Sequence, residues 1–296
     1  MKPAKDKKLR EVYVNLLFKR APLLFGVVFL FLAISTVCGA QDLYGGYSMP
    51  FSAPQFPPPP YPFLDNKLLV ITFTTTSEAM KWLVPEPLVP NPENLMSIYI
   101  GSFNIPPTSR GAKGELTLPA IPYREVALFV PSTFSKRPGS FCVAIYLDKI
   151  NPTITGREVF GYPKKSADLI TMNEENGKIA AKMERFGTTL VKATFQRTEK
   201  VEPGPNPPYV PWFLLKSIPS VKKDAPPEVM QLTATIGTWK WKELYRGKAS
   251  LELGSLPADP WDKIPILGIV RADYRVVDIT LSDGEVLHDY LKKDGK

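Results

Sequence analysis

The 296 residues are 44% hydrophobic and 22% charged, a balance that can bury a sizeable core and excludes a disordered polyelectrolyte as the first reading. The formal charge of +8 raises nucleic acid as a partner. However, Lys2, Lys5, Lys7, Lys8, Arg10, Lys19 and Arg20 crowd the start against only Asp6 and Glu11, and no arginine-rich stripe interleaved with aromatics follows.

In chain order, the basic opening ends at Lys19-Arg20, precedes an apolar run from Ala21 to Val37, and gives way to the small residues Cys38, Gly39 and Ala40. This pattern predicts an export signal over residues 1–40, or, if uncleaved, a membrane anchor with its basic end cytoplasmic. Residues 41–63 follow, with Pro50, Pro54, Pro57 to Pro60 and Pro62. Such proline density favours an extended form without ladder hydrogen bonds, hence a tether. A folded domain is then expected over residues 64–296.

Within that domain, runs rich in Val, Ile, Thr and aromatics predict strands over Leu68–Thr74, Met96–Phe103, Ala127–Val130, Ser140–Leu147, Thr189–Phe195, Val229–Ile236 and Ile269–Ile279. The alternation Trp239-Lys240-Trp241-Lys242 puts both indoles on one strand face and both lysines on the other. Helices are few. Thr75-x-x-Glu78 resembles a capping box opening a helix through Leu83, before Pro85, and Ser282-x-x-Glu285 predicts a second helix through Leu291. The expected fold is mainly antiparallel β (α+β), a curled barrel or cone with a few peripheral helices.

The chemistry is narrowed by what is missing. His288 is the single histidine and falls in the expected C-terminal helix, which removes Ser-His-Asp and Cys-His arrangements. No Cys/His cluster offers a metal site and no glycine-rich turn offers a phosphate cradle, so neither metal nor cofactor is expected. Cys142 is expected to pack as a small core residue. Lysines, carboxylates and tyrosines remain, and the segment Gly156-Arg157-Glu158-Val159-Phe160-Gly161-Tyr162-Pro163-Lys164-Lys165 concentrates them. A lysine attacks a carbonyl only as the neutral amine, a form favoured by burial or by a neighbouring cation. Adjacent residues of an extended segment face opposite ways, so burial against Phe160 and Tyr162 is the preferred means, with Lys165 turned away. Arg157 and Glu158 read as a structural pair or strand-end contact.

The ordered set made by this segment, Tyr146-Leu147-Asp148, Tyr123-Arg124-Glu125, Pro85-Glu86-Pro87-Leu88, Trp212-Phe213-Leu214-Leu215-Lys216 and Asp289-Tyr290-Leu291 resembles the acetoacetate decarboxylase family over roughly Tyr61 to Lys292. The resemblance implies a lyase in which Lys164 forms a Schiff base with a small oxo acid, without a cofactor. It also implies that Lys165 and Glu125 belong to the site, paired with one another, and that the chain forms a homo-oligomer. Two positions depart from the family pattern. The family's arginine after Tyr-x-Phe corresponds to Asn66, and its glutamate in the next strand corresponds to Tyr99. A proline-containing stretch, Asn104 to Pro122, carries Arg110, which is either a solvent-loop residue or a replacement for the missing cation. The functional expectation is therefore decarboxylation of a β-keto acid or related oxo acid through Lys164, with Asn66, Tyr99, Phe160, Tyr162 and Arg110 as candidate pocket residues. An aldolase or dehydratase using the same imine and a non-catalytic binding barrel are the alternatives.

Overall fold

All seven expected strands are found, and each lies inside a longer strand. The computed structural model describes residues 55–56, 58–110, 116–203 and 211–292. The expected export segment and most of the expected tether lie outside the described residues. Phe56 begins a compact unit, and it is the unit described here.

Chain order runs β1 (Tyr61–Thr74), α1 (Ser77–Leu83), β2 (Val89–Pro90), β3 (Leu95–Ile105), β4 (Thr108–Arg110), β5 (Leu116–Leu118), β6 (Ile121–Phe134) and β7 (Arg137–Leu147). Helix α2 (Ile150–Thr155) then continues into one π-helical turn (Gly156–Phe160), followed by β8 (Lys164–Ser166), β9 (Leu169–Glu175), β10 (Lys178–Arg185) and β11 (Thr188–Val201). The chain ends with β12 (Trp212–Ile218), β13 (Val229–Leu253), a 3₁₀ turn (Trp261–Lys263) and β14 (Gly268–Asp289).

The main sheet has the order β12-β7-β6-β3-β1-β14-β13-β11-β10-β9. Strand β12 also pairs with β13, Trp212 opposite Thr235 through Ile218 opposite Val229. That second pairing closes a seven-stranded ring. The far half of β13 leaves it to pair with β11, so β11, β10 and β9 form a wing.

Alternation along the strands divides the apolar residues into two clusters. Leu69, Ile71 and Phe73 of β1 pack with Met96, Ile98 and Ile100 of β3 and with Ile179, Leu190 and Phe195 of the wing. Leu68 belongs to the other cluster, with Tyr99, Phe129, Tyr162, Val277 and Leu281. In that second cluster Tyr99 on β3 reaches Trp212 on β12, ring centroids 6.2 Å apart, although β6 and β7 lie between them. Only the concave face permits such a contact, so the second cluster fills the ring. Truncating a fully buried residue such as Ile71 to alanine costs about 2–5 kcal/mol.

Several local expectations are corrected. Thr76, not Thr75, caps α1, accepting from the Ala79 amide at 3.2 Å, while the Thr75 amide donates to the Asn94 carbonyl. No helix forms over Ser282–Leu291. The chain stays in β14 as far as Asp289, where Thr233 pairs with Val286 and Leu232 with His288, and this ladder outweighs a four-residue capping signal. His288 is thus a strand residue. The sheet also begins earlier than the expected boundary, because Tyr61 to Phe63 pair with Leu281 to Ile279. The proline-rich tether therefore ends before Tyr61. Strands β9, β10 and β12 were not anticipated, although Asn176-Gly177, both at positive φ (49° and 73°), is a hairpin signal written in the sequence.

Candidate active site

Lys164 opens the three-residue strand β8, which runs parallel to β7 with Lys164 opposite Ile145. The turn before it is fixed by the Gly156 carbonyl, which accepts from the amides of Gly161 and Tyr162. Gly161 sits at φ 90°, and a β-carbon there would lie 2.4 Å from Cβ of Lys216. Glycine is required on both counts. The Arg157 guanidinium donates to the Lys164 carbonyl at 3.0 Å, in keeping with its structural reading.

The side chain of Lys164 is 8% exposed. Its Nζ lies 3.2 Å from Glu125 Oε2 and donates to the Pro152 carbonyl at 3.1 Å. It stands 5.4 Å from the ring centre of Tyr162 and 6.0 Å from that of Tyr123. The contact with Glu125 is an ion pair whose angles miss hydrogen-bond geometry, which leaves buried Oε2 without a hydrogen-bond donor among the described residues. The other carboxylate oxygen, Oε1, accepts a hydrogen bond from the Tyr99 hydroxyl. Burial, and then the Glu125 charge, raise the Tyr99 phenol well above its ordinary value, so Tyr99 stays a donor. Tyr123 is raised for the same two reasons.

Lys164 projects into a cavity of about 60 Å³ whose wall includes Phe56, Tyr61, Tyr123, Gly156, Phe160 and Leu281. Tyr162 also lines it, and Lys164 is the one charged side chain among the described lining residues. Gly156 decides whether the lysine fits: a β-carbon there would lie 2.7 Å from both Cδ and Cε of Lys164. Gly156, Tyr123 and Pro152 escaped the sequence reading as site residues. Gly156 and Tyr123 lie within the motifs that carry the family resemblance, but neither bears a group that acid-base or imine chemistry singles out.

The expected Lys165–Glu125 pair is not formed. Lys165 points to the opposite side of β8, where Nζ donates to Asp259 Oδ1 at 2.7 Å and to the Ala258 carbonyl at 2.8 Å. Alternation along β8 is the reason, since it gives each lysine a different carboxylate. Asp259 is buried and also accepts from the Tyr146 hydroxyl, with Arg185 Nε 3.3 Å from Oδ2. Burial alone would raise this carboxyl, but the bonds from Lys165 and Tyr146 outweigh it and hold it below the usual range. Lys165 therefore does not line the cavity.

Phe160 and Tyr162 line the lysine cavity. Asn66 does not. It is fully buried at an irregularity in the β1–β14 register, donating through Nδ2 to the Phe63 and Val277 carbonyls at 3.0 and 2.9 Å and accepting from the Asn104 amide at 3.2 Å. Its amide stitches three strands, a task for both ends of a carboxamide. Tyr99 touches the site through Glu125 rather than lining the lysine cavity. Arg110 pairs through its backbone with Leu116 in the β4–β5 hairpin, and its side chain lies outside the described residues. Cys142 is buried in the core, its thiol raised by burial and then by the Glu125 charge.

Comparison with known proteins places these observations. The family model described as acetoacetate decarboxylase (ADC) matches residues 48–291. An acetoacetate decarboxylase of Burkholderia lata is 33% identical over 254 residues, covering 83% of this chain and 95% of that protein. The solved acetoacetate decarboxylase of Legionella pneumophila superposes with a TM-score of 0.70 at 26% identity, covering 83% of this chain and 95% of that one. MppR, an enduracididine biosynthesis enzyme solved with the condensation product of pyruvate and imidazole 4-carboxaldehyde, shares the fold at a TM-score of 0.69 and 17% identity, covering 83% and 97%. The chain belongs to the acetoacetate decarboxylase family.

Proposed function

We propose that this protein is a Schiff-base-forming lyase that decarboxylates a β-keto acid or a related oxo acid through an imine on Lys164. The observation that carries the reading is a buried lysine amine on the wall of an apolar cavity, 3.2 Å from a single carboxylate.

Glu125 Oε2 is placed to take a proton from Nζ, leaving the neutral amine that attack requires. The amine adds to the ketone carbon, Glu125 returns its proton to the departing hydroxyl, and water leaves, giving a protonated imine. The bond to the carboxylate carbon then breaks, its electrons forming the carbon–carbon double bond of a neutral enamine as the C=N π pair moves onto nitrogen, and carbon dioxide departs. Protonation at carbon regenerates the imine of the shortened ketone, which water hydrolyses. The apolar wall favours this sequence by disfavouring the carboxylate relative to uncharged carbon dioxide. The Pro152 carbonyl and the Tyr162 ring stabilise positive charge at the nitrogen, the ring by about 0.5–2 kcal/mol.

The test is reductive trapping. Incubation with acetoacetate and a panel of oxo acids, followed by borohydride and intact-mass measurement, is expected to give an adduct in the wild type and none in Lys164→Met. No adduct with any acid removes the imine and favours a binding barrel.

A condensation reaction is the second reading, favoured by the absence of a cation other than Lys164 among the described residues lining the lysine cavity. The condensation product held by MppR gives it a chemical precedent within the fold. Carbon dioxide release from trapped substrates separates the two. The proposal also includes export through the basic-apolar leader, tested by cell fractionation, and a homo-oligomeric state, tested by sedimentation.

A further inference from the structure

The ring interior holds a second cavity, of about 260 Å³, on the other side of an aromatic layer from Lys164. Tyr99, Phe129, Trp212, Trp239 and Trp241 contribute to its wall. Tyr99 and Trp212 form the partition: the Tyr99 hydroxyl bonds Glu125, and Trp212 meets the cavity-lining Tyr162 edge-on at 6.1 Å. Trp212 in turn packs on Phe129 at 4.9 Å and on Trp239 at 5.7 Å. Tyr99, Phe129, Trp212 and Trp239 thus form a continuous set of rings on its wall.

Strand β14 supplies its charge. Alternate residues of β14 face the interior, so that Leu281 lies in the lysine cavity while Arg275 and Arg271 reach the second one. Between them stands Asp273, 5% exposed, whose Oδ2 is 2.9 Å from Arg275 Nη2 and 3.0 Å from Arg271 Nε. Two guanidinium groups thus share one carboxylate, a surplus of one positive charge. Arg275 Nε is buried without a hydrogen-bond partner among the described residues, and the Arg275 guanidinium carbon lies 5.2 Å from the Trp241 ring centre. A buried donor left unmade is costly, about 1–3 kcal/mol, and an incoming acceptor removes that cost.

From these features we infer that the second cavity is a binding site for a monoanionic carboxylate bearing an aromatic or similarly flat apolar group, with the ring among Trp212, Trp239 and Phe129 and the carboxylate at Arg275 and Arg271. The arginines' planar fork suits a carboxylate, and the wall suits a ring. The volume approaches the lower end of small-molecule pockets, about 300 Å³. The inference is independent of imine chemistry, since Lys164 is not part of this wall.

Isothermal titration of the full chain with 3-phenylpropanoate and with the neutral 3-phenylpropan-1-ol tests it. The carboxylate is expected to bind at least roughly tenfold more tightly than the alcohol, from one charged hydrogen bond or more. Arg275→Gln is expected to erase that preference and Trp239→Leu to weaken both ligands. Arg271→Gln, at a side chain 55% exposed and so safe for folding, is expected to reduce the preference. Lys164→Met is expected to leave binding unchanged. Equal affinity for acid and alcohol, retention of the preference in both arginine variants, loss of acid binding in Lys164→Met, or no saturable binding would each overturn the assignment.

Discussion

Glu125 holds Lys164, not Lys165: its Oε2 lies 3.2 Å from the Lys164 amine, while Lys165 is bound to Asp259 on the far side of β8. Two adjacent lysines thus have separate counterions. One is enclosed in an apolar cavity with a single acid beside it, and the other is tied to a polar cluster that fixes the strand's outer side. The division follows from strand alternation, and it keeps the second ammonium out of the cavity.

Tyr99 donates to the other oxygen of Glu125. Tyr99→Phe removes that donor without adding volume and leaves a buried carboxylate oxygen bare, a cost of about 1–3 kcal/mol. The expected outcome is a melting temperature lowered modestly and turnover with a trapped oxo acid lowered about tenfold or more, with KM little changed. Unchanged turnover would show that Tyr99 supports the core and not the carboxylate.

Gly156→Ala separates stability from activity. The glycine has ordinary helical angles (φ −61°, ψ −40°), so alanine suits the backbone there and gains about 1 kcal/mol of helix propensity. Its β-carbon, however, meets the Lys164 stem at 2.7 Å, and that stem must move. Stability is expected to stay near the wild-type value while the rate of borohydride-trapped adduct falls about a hundredfold, as misplacements near 1 Å do. An unchanged trapping rate would mean that the amine has room to adjust.

Asn66→Ala tests the reassignment of Asn66 from substrate contact to strand stitch. Loss of three hydrogen bonds at roughly 1 kcal/mol each predicts about 3 kcal/mol of destabilisation in urea unfolding, with the KM of the folded fraction unaltered. A raised KM at undiminished stability would return Asn66 to the pocket.

Asp259→Asn addresses the Lys165 cluster through pH. The Asp259 carboxyl is held below its ordinary value in the folded state, so its stabilisation is present above the unfolded value, about 3.9, and is lost as pH falls through the folded one. At neutral pH the variant is expected to be less stable by about 3 kcal/mol, near the low end for a broken buried pair because Lys165 is 40% exposed. The gap between wild type and variant should close on acidification below pH ~4, measured by urea unfolding at each pH. A gap independent of pH would remove the ionic role of Asp259.

The strands were legible because they carry β-branched and aromatic runs that a ladder requires, and the half-buried Trp239 and Trp241 beside exposed Lys240 and Lys242 follow the period of two. The Ser282 capping signal failed because it is local, whereas the β13–β14 ladder that overrides it joins residues some fifty positions apart. Lys164 and Glu125 were nominated from an ordered set of motifs, and the family is confirmed by the match over residues 48–291.

The amino-acid sequence supplies the inventory: a β-rich domain, one histidine, a lysine pair in an aromatic segment, and the ordered motifs of the family. Which groups meet is set by long-range strand pairing. Ring closure through β12 brings Trp212 to Tyr99, the turn at Gly156 admits Lys164, and the pairing of β1 with β14 draws Asn66 into the sheet. Glu125 and Lys164 are 39 positions apart, and Lys165 and Asp259 are 94 apart, so no short-range pattern encodes either contact. Burial then gives the Lys164–Glu125 contact its weight, because two charges enclosed among rings cannot turn to water for other partners.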